Sequence, residues 1–280
     1  MLAYRHLFHA GNFADVFKHA LLVRLLVALA QKEAPFCYLD THAGLGRYDL
    51  AHAWAQKARE FENGIARIWQ RRDAPPALAG YLDAVRAENP AGSLRFYPGS
   101  PRIARALLRP GDRMVLTELN KADFAALEAR FAGDRQVQVR HMDGYQALKS
   151  FLPPKERRGL VLLDSSFDRA GEFARIAEAL AAAHRRWATG VYAVWYPLME
   201  RAAVRRFERQ IADTGMRKIL QLELTVAPER RTATMHGCGM LVVNPPWKLD
   251  AEAPSLLAWL ARSLAPGEAG TGSVRWLVPE

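Results

Sequence analysis

The fold of this chain is decided by the stretch Phe36-Cys37-Tyr38-Leu39-Asp40-Thr41-His42-Ala43-Gly44-Leu45-Gly46-Arg47-Tyr48. An apolar run ends on the acid Asp40 and breaks at once into a turn that holds Gly44 and Gly46, which predicts a strand feeding a ligand-binding turn. Ligands of open α/β sheets bind where strands end. The third glycine of a dinucleotide-binding fingerprint is missing, so this stretch alone is also compatible with an ordinary strand-to-helix turn.

Composition and charge narrow the class of protein. The 280 residues, half of them hydrophobic, suffice for one large domain with an insertion or for two small domains. A formal net charge of +10 favours a polyanionic partner, most often nucleic acid. The cysteines, Cys37 and Cys238, lie in apolar runs and predict buried thiols, with no metal site. No signal segment and no bilayer-spanning run is evident, so we expect a cytoplasmic protein with no membrane partner.

The first residues form an arm, 1–11, that is dense in aromatic and basic side chains. Asn12 then predicts a helix N-cap. The Tyr4 arm suits contact with a base and a phosphate, because its ring-bearing and cationic side chains make poor core. Lys18 and His19 fall inside the predicted helix, where the pattern by itself indicates a surface lysine and a packed histidine.

Residues 48–96 interrupt the apolar strand pattern with predicted helices over 51–69 and 77–87. This length exceeds that of a plain connection, so we interpret it as a helical insertion subdomain. The main domain, with its N-terminal arm, then comprises 1–47 and 97–280. Its second part restarts with Ser100 as a predicted helix N-cap.

Strands and helices alternate regularly after the insertion. The predicted strands that follow the one at 36–40 are 114–118, 137–141, 160–163, 191–196, 219–226 and 240–243. Such alternation predicts an α/β fold with a mostly parallel seven-stranded sheet and helices on both faces. The last two strands have no helix between them and should pair antiparallel. This Rossmann-like architecture is similar to that of class I S-adenosylmethionine-dependent methyltransferases.

Acids follow four successive strands at Asp40, Glu118, Asp143 and Asp164. An acidic side chain buried at the end of a strand costs free energy unless a hydrogen-bonding or charged partner compensates for the lost solvation. A nucleoside ligand with a positive centre explains them together: Glu118 would bind ribose hydroxyls and Asp143 the adenine amine, while Asp40 and the turn at Gly44 would hold the methionine end.

Several longer motifs point to one family. They are Tyr4-Arg5-His6, His9-Ala10-Gly11-Asn12, Asp15 to Lys18-His19, Leu39-Asp40-Thr41-His42-Ala43-Gly44, Gly46-Arg47-Tyr48, Tyr97-Pro98-Gly99-Ser100-Pro101 and Asn244-Pro245-Pro246-Trp247-Lys248. With them the chain resembles the ribosomal RNA large subunit methyltransferase J family over nearly its full length. The resemblance implies a helical insertion after the first strand and N6-methylation of an adenine in 23S rRNA, at position 2030, with S-adenosylmethionine as methyl donor.

The resemblance also implies roles for particular residues. It implies contacts with S-adenosylmethionine at His19, His42, Ser100, Glu118, Asp143, Gly144 and Asp164, and contact with the RNA at Tyr4. Asp164 is the predicted catalytic residue, and we expect Lys18, Ser165 and Phe167 to contact the flipped target base or its nucleotide.

The catalytic motif departs from its usual form. Amino-methylating enzymes usually carry two prolines after the acid, and this chain has Ser165-Ser166 before Phe167. The Asp164 carboxylate and the Ser165 carbonyl can still accept both amine hydrogens, although the fixed φ of two prolines is lost. Asn244-Pro245-Pro246-Trp247 matches the usual motif better, but it follows the seventh strand and is interpreted as a loop packed by Trp247.

Two other classes of function remain open at the level of sequence. Ser165-Ser166 is compatible with a non-catalytic nucleic-acid-binding protein on a decayed methyltransferase fold. A DNA adenine methyltransferase, or a factor in the use of external DNA, is the other class. If the chain is an rRNA methyltransferase, as the resemblance implies, we expect a monomer that acts on 23S rRNA when this rRNA is protein-free or early in assembly.

Overall fold

The computed structural model describes residues 5–228, 234–265 and 270–280 of the chain. Within them the α-helices are α1 (Phe13–Ala30), α2 (Ala53–Ala58), α3 (Ala79–Ala87), α4 (Ser100–Leu107), α5 (Lys121–Arg130), α6 (Gly144–Phe151), α7 (Glu172–Arg186), α8 (Arg201–Ala212) and α9 (Leu249–Leu264). The strands are β1 (Cys37–Asp40), β2 (Arg47–Asp49), β3 (Phe96–Pro98), β4 (Arg113–Glu118), β5 (Val137–His141), β6 (Gly159–Leu163), β7 (Val191–Leu198), β8 (Ile219–Thr225), β9 (Gly237–Val243) and β10 (Thr271–Val278).

The main sheet has the order β10-β8-β9-β7-β6-β1-β4-β5 among the described residues. The pairs from β5 through β4, β1 and β6 to β7 are parallel, whereas β9 runs antiparallel to both β7 and β8. The predicted mostly parallel sheet with an antiparallel pair is therefore confirmed. The predicted count of seven strands is wrong, because β10 adds an eighth strand antiparallel to β8. This strand was not predicted because most of its side chains are exposed, so its sequence lacks a continuous apolar run.

Helix α1 is the apolar centre of one face of the sheet. The Asn12 side chain accepts a hydrogen bond from the Asp15 N–H, so the predicted N-cap is confirmed. Its side chains are buried almost all round, with Phe17 and Leu22 fully inaccessible, which is the pattern of a helix enclosed by other elements. This burial carries Lys18 and His19 into the interior, so the pattern-based expectation of a surface lysine is wrong.

The segment 48–96 differs from its predicted helices. The helix expected over 51–69 is limited to α2 and short 3-10 turns, because Arg59 adopts a left-handed conformation (φ 52°) and the backbone of Gly64 lies against Gly11. A Cβ on Gly64 would come within 2.0 Å of the Gly11 carbonyl oxygen. The second predicted helix corresponds to α3. The segment packs in the same hydrophobic cluster as α1, and its status as a separate subdomain stays a prediction.

Three smaller predictions concern the start of α4, the two cysteines and membrane-spanning helices. Helix α4 begins at Ser100 with Gly99 as its N-cap, so Ser100 is the first helical residue rather than the cap. Cys37 and Cys238 are buried free thiols, as predicted, and burial raises the pKa of Cys37 to about 12. None of the helices in the described ranges is both long and apolar enough to cross a bilayer.

Candidate functional site

A cavity of about 470 Å³ opens where β1, β4, β5 and β6 end. Eleven of the predicted site residues line it: Lys18, His19, His42, Gly44, Ser100, Glu118, Asp143, Gly144, Asp164, Ser165 and Phe167. Tyr4 lies outside the described residues. The topology thus brings together residues from widely separated stretches of sequence, and the ligand contact of each one stays a prediction.

Asp40 stands apart from this group, because its side chain is fully buried behind the cavity wall rather than on it. Its carboxylate accepts hydrogen bonds from the Tyr38 hydroxyl at 2.8 Å and from the His42 backbone N–H at 3.3 Å. Burial raises the pKa of Asp40 to about 6. Asp40 therefore supports the turn that follows β1, which places it one layer behind its expected position beside the methionine end of the cofactor.

Asp164 is held by a buried lysine. Its Oδ2 lies 2.6 Å from Nζ of Lys18, and the same Nζ lies 2.8 Å from Oδ1 of Asp15. Burial by itself would lower the pKa of Lys18, but the two carboxylates outweigh it and hold that pKa well above its ordinary value. Among the described residues Oδ1 of Asp164 makes no hydrogen bond, so one oxygen of this cavity-lining residue is fixed and the other keeps its acceptor capacity.

The serines that replace the usual prolines both donate hydrogen bonds to carboxylates. The buried Ser165 donates its hydroxyl hydrogen to Oε1 of Glu172, the first residue of α7, and the Tyr145 hydroxyl donates to the same oxygen. Ser166 donates to Oδ1 of Asp168 at 2.6 Å. Hydrogen bonds to carboxylates therefore hold this motif in place of prolines, which the sequence did not indicate because no local pattern links Ser165 to Glu172.

We expect Ser165→Ala to lower kcat for methyl transfer about tenfold and to leave the Kd for S-adenosylmethionine unchanged. Loss of a hydrogen bond to a buried carboxylate costs about 1–3 kcal/mol, and here the cost falls on the loop that positions Asp164. Steady-state kinetics and calorimetry measure the two quantities. Ser255→Ala on the exposed face of α9 is the control, and equal kcat in both variants would show that Ser165 is not a positioning residue.

Glu118 and Asp143 shape the side of the cavity opposite Asp164. Glu118 accepts from the N–H of Gly44 at 2.9 Å and from the N–H of Asn120 at 2.7 Å, and burial raises its pKa. Asp143 is the N-cap of α6, and its Oδ2 accepts from Arg175 at 2.9 Å. Both carboxylates are already oriented by the protein, so a nucleoside would meet acceptors in fixed positions.

Two neutral histidines complete the wall. His42 receives or gives a hydrogen bond with Oγ1 of Thr41 at 2.8 Å, and burial lowers its pKa. His19 makes a 2.7 Å hydrogen bond with the Tyr97 hydroxyl, and burial lowers its pKa to about 3. Both rings are neutral around pH 7, and Nδ1 of each is already hydrogen-bonded within the protein, so each has only Nε2 left for a ligand and adds no positive charge to the cavity.

His19 predicts a specific pH dependence of stability. Its pKa is about 3 when folded, against an ordinary value of about 6.5, so the unfolded chain binds more protons between these values and the free energy of unfolding falls as pH is lowered. At pH 5 we expect the loss to be roughly 2 kcal/mol relative to pH 7. Urea denaturation at both pH values should show a smaller loss in His19→Gln. An identical loss in the variant would remove His19 as the cause.

The charge of the cavity favours a cationic ligand. Seven carboxylates line it, against the three cations Lys18, Arg169 and Arg175, in a chain whose formal net charge is +10. The carboxylates are Asp15, Glu118, Asp123, Asp143, Asp164, Asp168 and Glu172. S-adenosylmethionine has a sulfonium, an adenine amine and ribose hydroxyls, all of which such acceptors can bind, so the donor set fits this cofactor.

The alternative motif lies at the opposite end of the sheet's strands, beside the amino end of β7. Asn244 directly follows β9, and its amide donates to the carbonyls of Ala188 and Gly190 at 2.8 Å, just before β7 begins. It does not line the cavity. The interpretation of this segment as a loop packed by Trp247 is wrong in one respect, because Trp247 is 88% exposed. The geometry thus supports Asp164 over Asn244.

Comparison with known proteins decides the family. The model of the family described as Ribosomal RNA large subunit methyltransferase D, RlmJ matches residues 33–278. The chain belongs to this ribosomal RNA methyltransferase family. Ribosomal RNA large subunit methyltransferase J of Escherichia coli is 45% identical over 280 residues, and its counterpart in Haemophilus influenzae is 43% identical over 281 residues, with full coverage of both chains in each case.

Solved structures agree with the family. A crystal structure of a Legionella pneumophila protein is similar, with a TM-score of 0.89 at 35% identity, and covers 96% of this chain and 98% of its own. A probable spermidine synthase from Corynebacterium glutamicum has a TM-score of 0.52 at 11% identity over 92% of this chain and 74% of its own, which shows a shared fold only. The methyltransferase family and the acidic cavity together identify S-adenosylmethionine as the cofactor.

Proposed function

We propose that this chain transfers a methyl group from S-adenosylmethionine to N6 of an adenine in 23S rRNA, at position 2030 by family resemblance. The observation that carries the proposal is Asp164, a residue of the cavity lining, one oxygen of which is held by Lys18 while the other makes no hydrogen bond with the described residues. The names of the two curated relatives support an rRNA substrate of the large subunit. The anchored Ser165 argues against a decayed site.

Asp164 has a defined part in the reaction. When bound, S-adenosylmethionine supplies the methyl group as a sulfonium. Oδ1 of Asp164 accepts a hydrogen from the exocyclic amine, which points the nitrogen lone pair at the methyl carbon. As the amine forms its fourth bond, the carboxylate stabilises the positive charge on N6 and can take the proton that the amine must lose.

Phe167 completes the site for the base. Its ring packs edge-on against Trp195 with centroids 5.9 Å apart, and its backbone is in the left-handed region at φ 53°. Non-glycine residues hold this conformation when their surroundings enforce it, often at functional sites. A base extruded from the RNA would stack on this ring beside Asp164.

The proposal extends to setting and assembly. We propose a monomer that works in the cytoplasm on rRNA that is protein-free or early in assembly. The net charge of +10 supports binding of exposed rRNA, because cationic side chains gain affinity by releasing counterions from phosphates.

Transfer of an isotope-labelled methyl group tests the function. Purified protein and labelled S-adenosylmethionine are incubated with protein-free 23S rRNA from cells that lack the gene, and with duplex DNA as the alternative substrate. We expect label in the rRNA alone, recovered as N6-methyladenosine by mass analysis of nucleosides. Labelling of DNA instead, or no calorimetric binding at millimolar cofactor, would overturn the proposal.

A further inference from the structure

A second cavity lies directly beside the first. It has a volume of about 420 Å³, within the range of small-ligand sites, and is bounded by the loop before α7, the end of β7 and one side of α8. Phe167, Pro197 and Met199 line both cavities. A strand of RNA whose target base enters the first cavity would therefore pass the mouth of the second.

The floor of this second cavity is aromatic. Phe167 and Phe173 pack edge-to-face with centroids 4.9 Å apart, and Phe173 and Phe207 are tilted at the same separation. Phe207 is fully buried, whereas Phe167 and Phe173 are partly accessible. Partly accessible rings of this kind are the platforms on which single-stranded bases stack.

The rim of the second cavity is cationic. Arg169 and Arg206 line it, both are exposed, and neither makes an ion pair or hydrogen bond with the described residues. They differ in this from the arginines that pair with carboxylates, as Arg113 does with Glu156. Of the acids at the same cavity, Glu172 is engaged by Ser165 and Tyr145, and only Glu200 faces solvent.

We propose that the second cavity binds the nucleotide next to the target adenine, with its base on Phe173 and its phosphate between Arg169 and Arg206. This rests on the proposed function, since it assumes an RNA strand whose target base occupies the first cavity. Binding of this neighbouring nucleotide holds the RNA strand next to Phe167. Its favourable binding free energy offsets part of the free-energy cost of extruding the target base. The second cavity thus sets affinity for RNA, while Asp164 sets the rate of transfer.

The test measures KM for 23S rRNA and kcat in wild type, Arg169→Ala, Arg206→Ala and the control Arg205→Ala. Arg205 is equally exposed on α8 but does not line the cavity. We expect KM to rise about tenfold in the first two variants, as for loss of a charge-assisted hydrogen bond, with kcat unchanged in Arg206→Ala, since Arg206 does not line the first cavity. The slope of log KM against log salt should become shallower by roughly 0.7 for each lost phosphate contact.

A second measurement uses wild-type protein only. Synthetic RNA fragments around the methylated adenine carry one abasic position, either adjacent to the target or several nucleotides away. We expect the adjacent abasic site alone to raise KM. Equal KM for both fragments, or an effect of Arg205→Ala equal to that of Arg206→Ala, would overturn the second-cavity proposal, whereas absence of methylation by wild type would overturn the proposed function instead.

Discussion

Asp164→Asn should reduce kcat for methyl transfer to 23S rRNA by at least about 100-fold, in line with the loss of one preorganised electrostatic contact in other enzymes. The amide keeps the shape of the side chain but removes the charge that faces the attacking amine. It also has a single acceptor oxygen, which can face either Lys18 or the amine but not both, so one of the two contacts is lost. Asp164→Ala should be inactive in the same assay.

Cofactor binding separates this effect from a general loss of structure. We expect the calorimetric Kd for S-adenosylmethionine to rise less than about tenfold, because Glu118 and Asp143 remain in place. Asp213→Asn removes an exposed carboxylate outside the cavity and is the matched control. Full turnover by Asp164→Ala would exclude Asp164 as the catalytic residue.

Lys18→Met should destabilise the free protein by about 3–5 kcal/mol, which is the usual cost of removing one partner from a buried ion pair. Lys18 is 4% exposed and is the common partner of Asp15 and Asp164. Without it, two carboxylates face each other in a poorly solvated space. The free energy of unfolding in urea measures the loss, and activity should fall with it because Asp164 is no longer held.

Two further variants test whether loss of the buried ion pair causes this destabilisation. Lys149→Met removes an exposed lysine from α6 and should change the free energy of unfolding by less than about 0.5 kcal/mol. Asp15→Asn combined with Lys18→Met should recover part of the loss, because the like charge next to the unpaired Asp164 is gone. A loss in Lys18→Met no larger than in Lys149→Met would show that the pair contributes nothing to stability.

Local patterns were sufficient for most of the sheet and for one helix start. The apolar run before Asp40 and the Asn12 cap with Asp15 are readable because each depends on residues within one turn or one strand. The same holds for the strand that ends before Asp164. The regular alternation of these elements then predicted which acids meet at one edge of the sheet.

Long-range contacts explain what the sequence could not show. Lys18 and Asp164 are 146 positions apart, and no local pattern marks them as partners. The broken helix after α2 depends on the approach of Gly64 to Gly11, which only the folded chain brings about. The expected place of Asp40 on the cavity wall followed from its position at a strand end, whereas its neighbour Tyr38 determines where the carboxylate lies.

The β2 and β3 pairing has a consequence for how the chain tolerates change. Arg47 pairs with Pro98, and the Gly99 N–H donates to the Gly46 carbonyl at 2.9 Å, so the chain leaves the main sheet and returns to it at one place. The entropic cost of closing a loop grows only slowly with its length. Loop closure by itself therefore sets little limit on the length of the segment between these strands, and its packing against α1 and Gly11 is what holds its conformation.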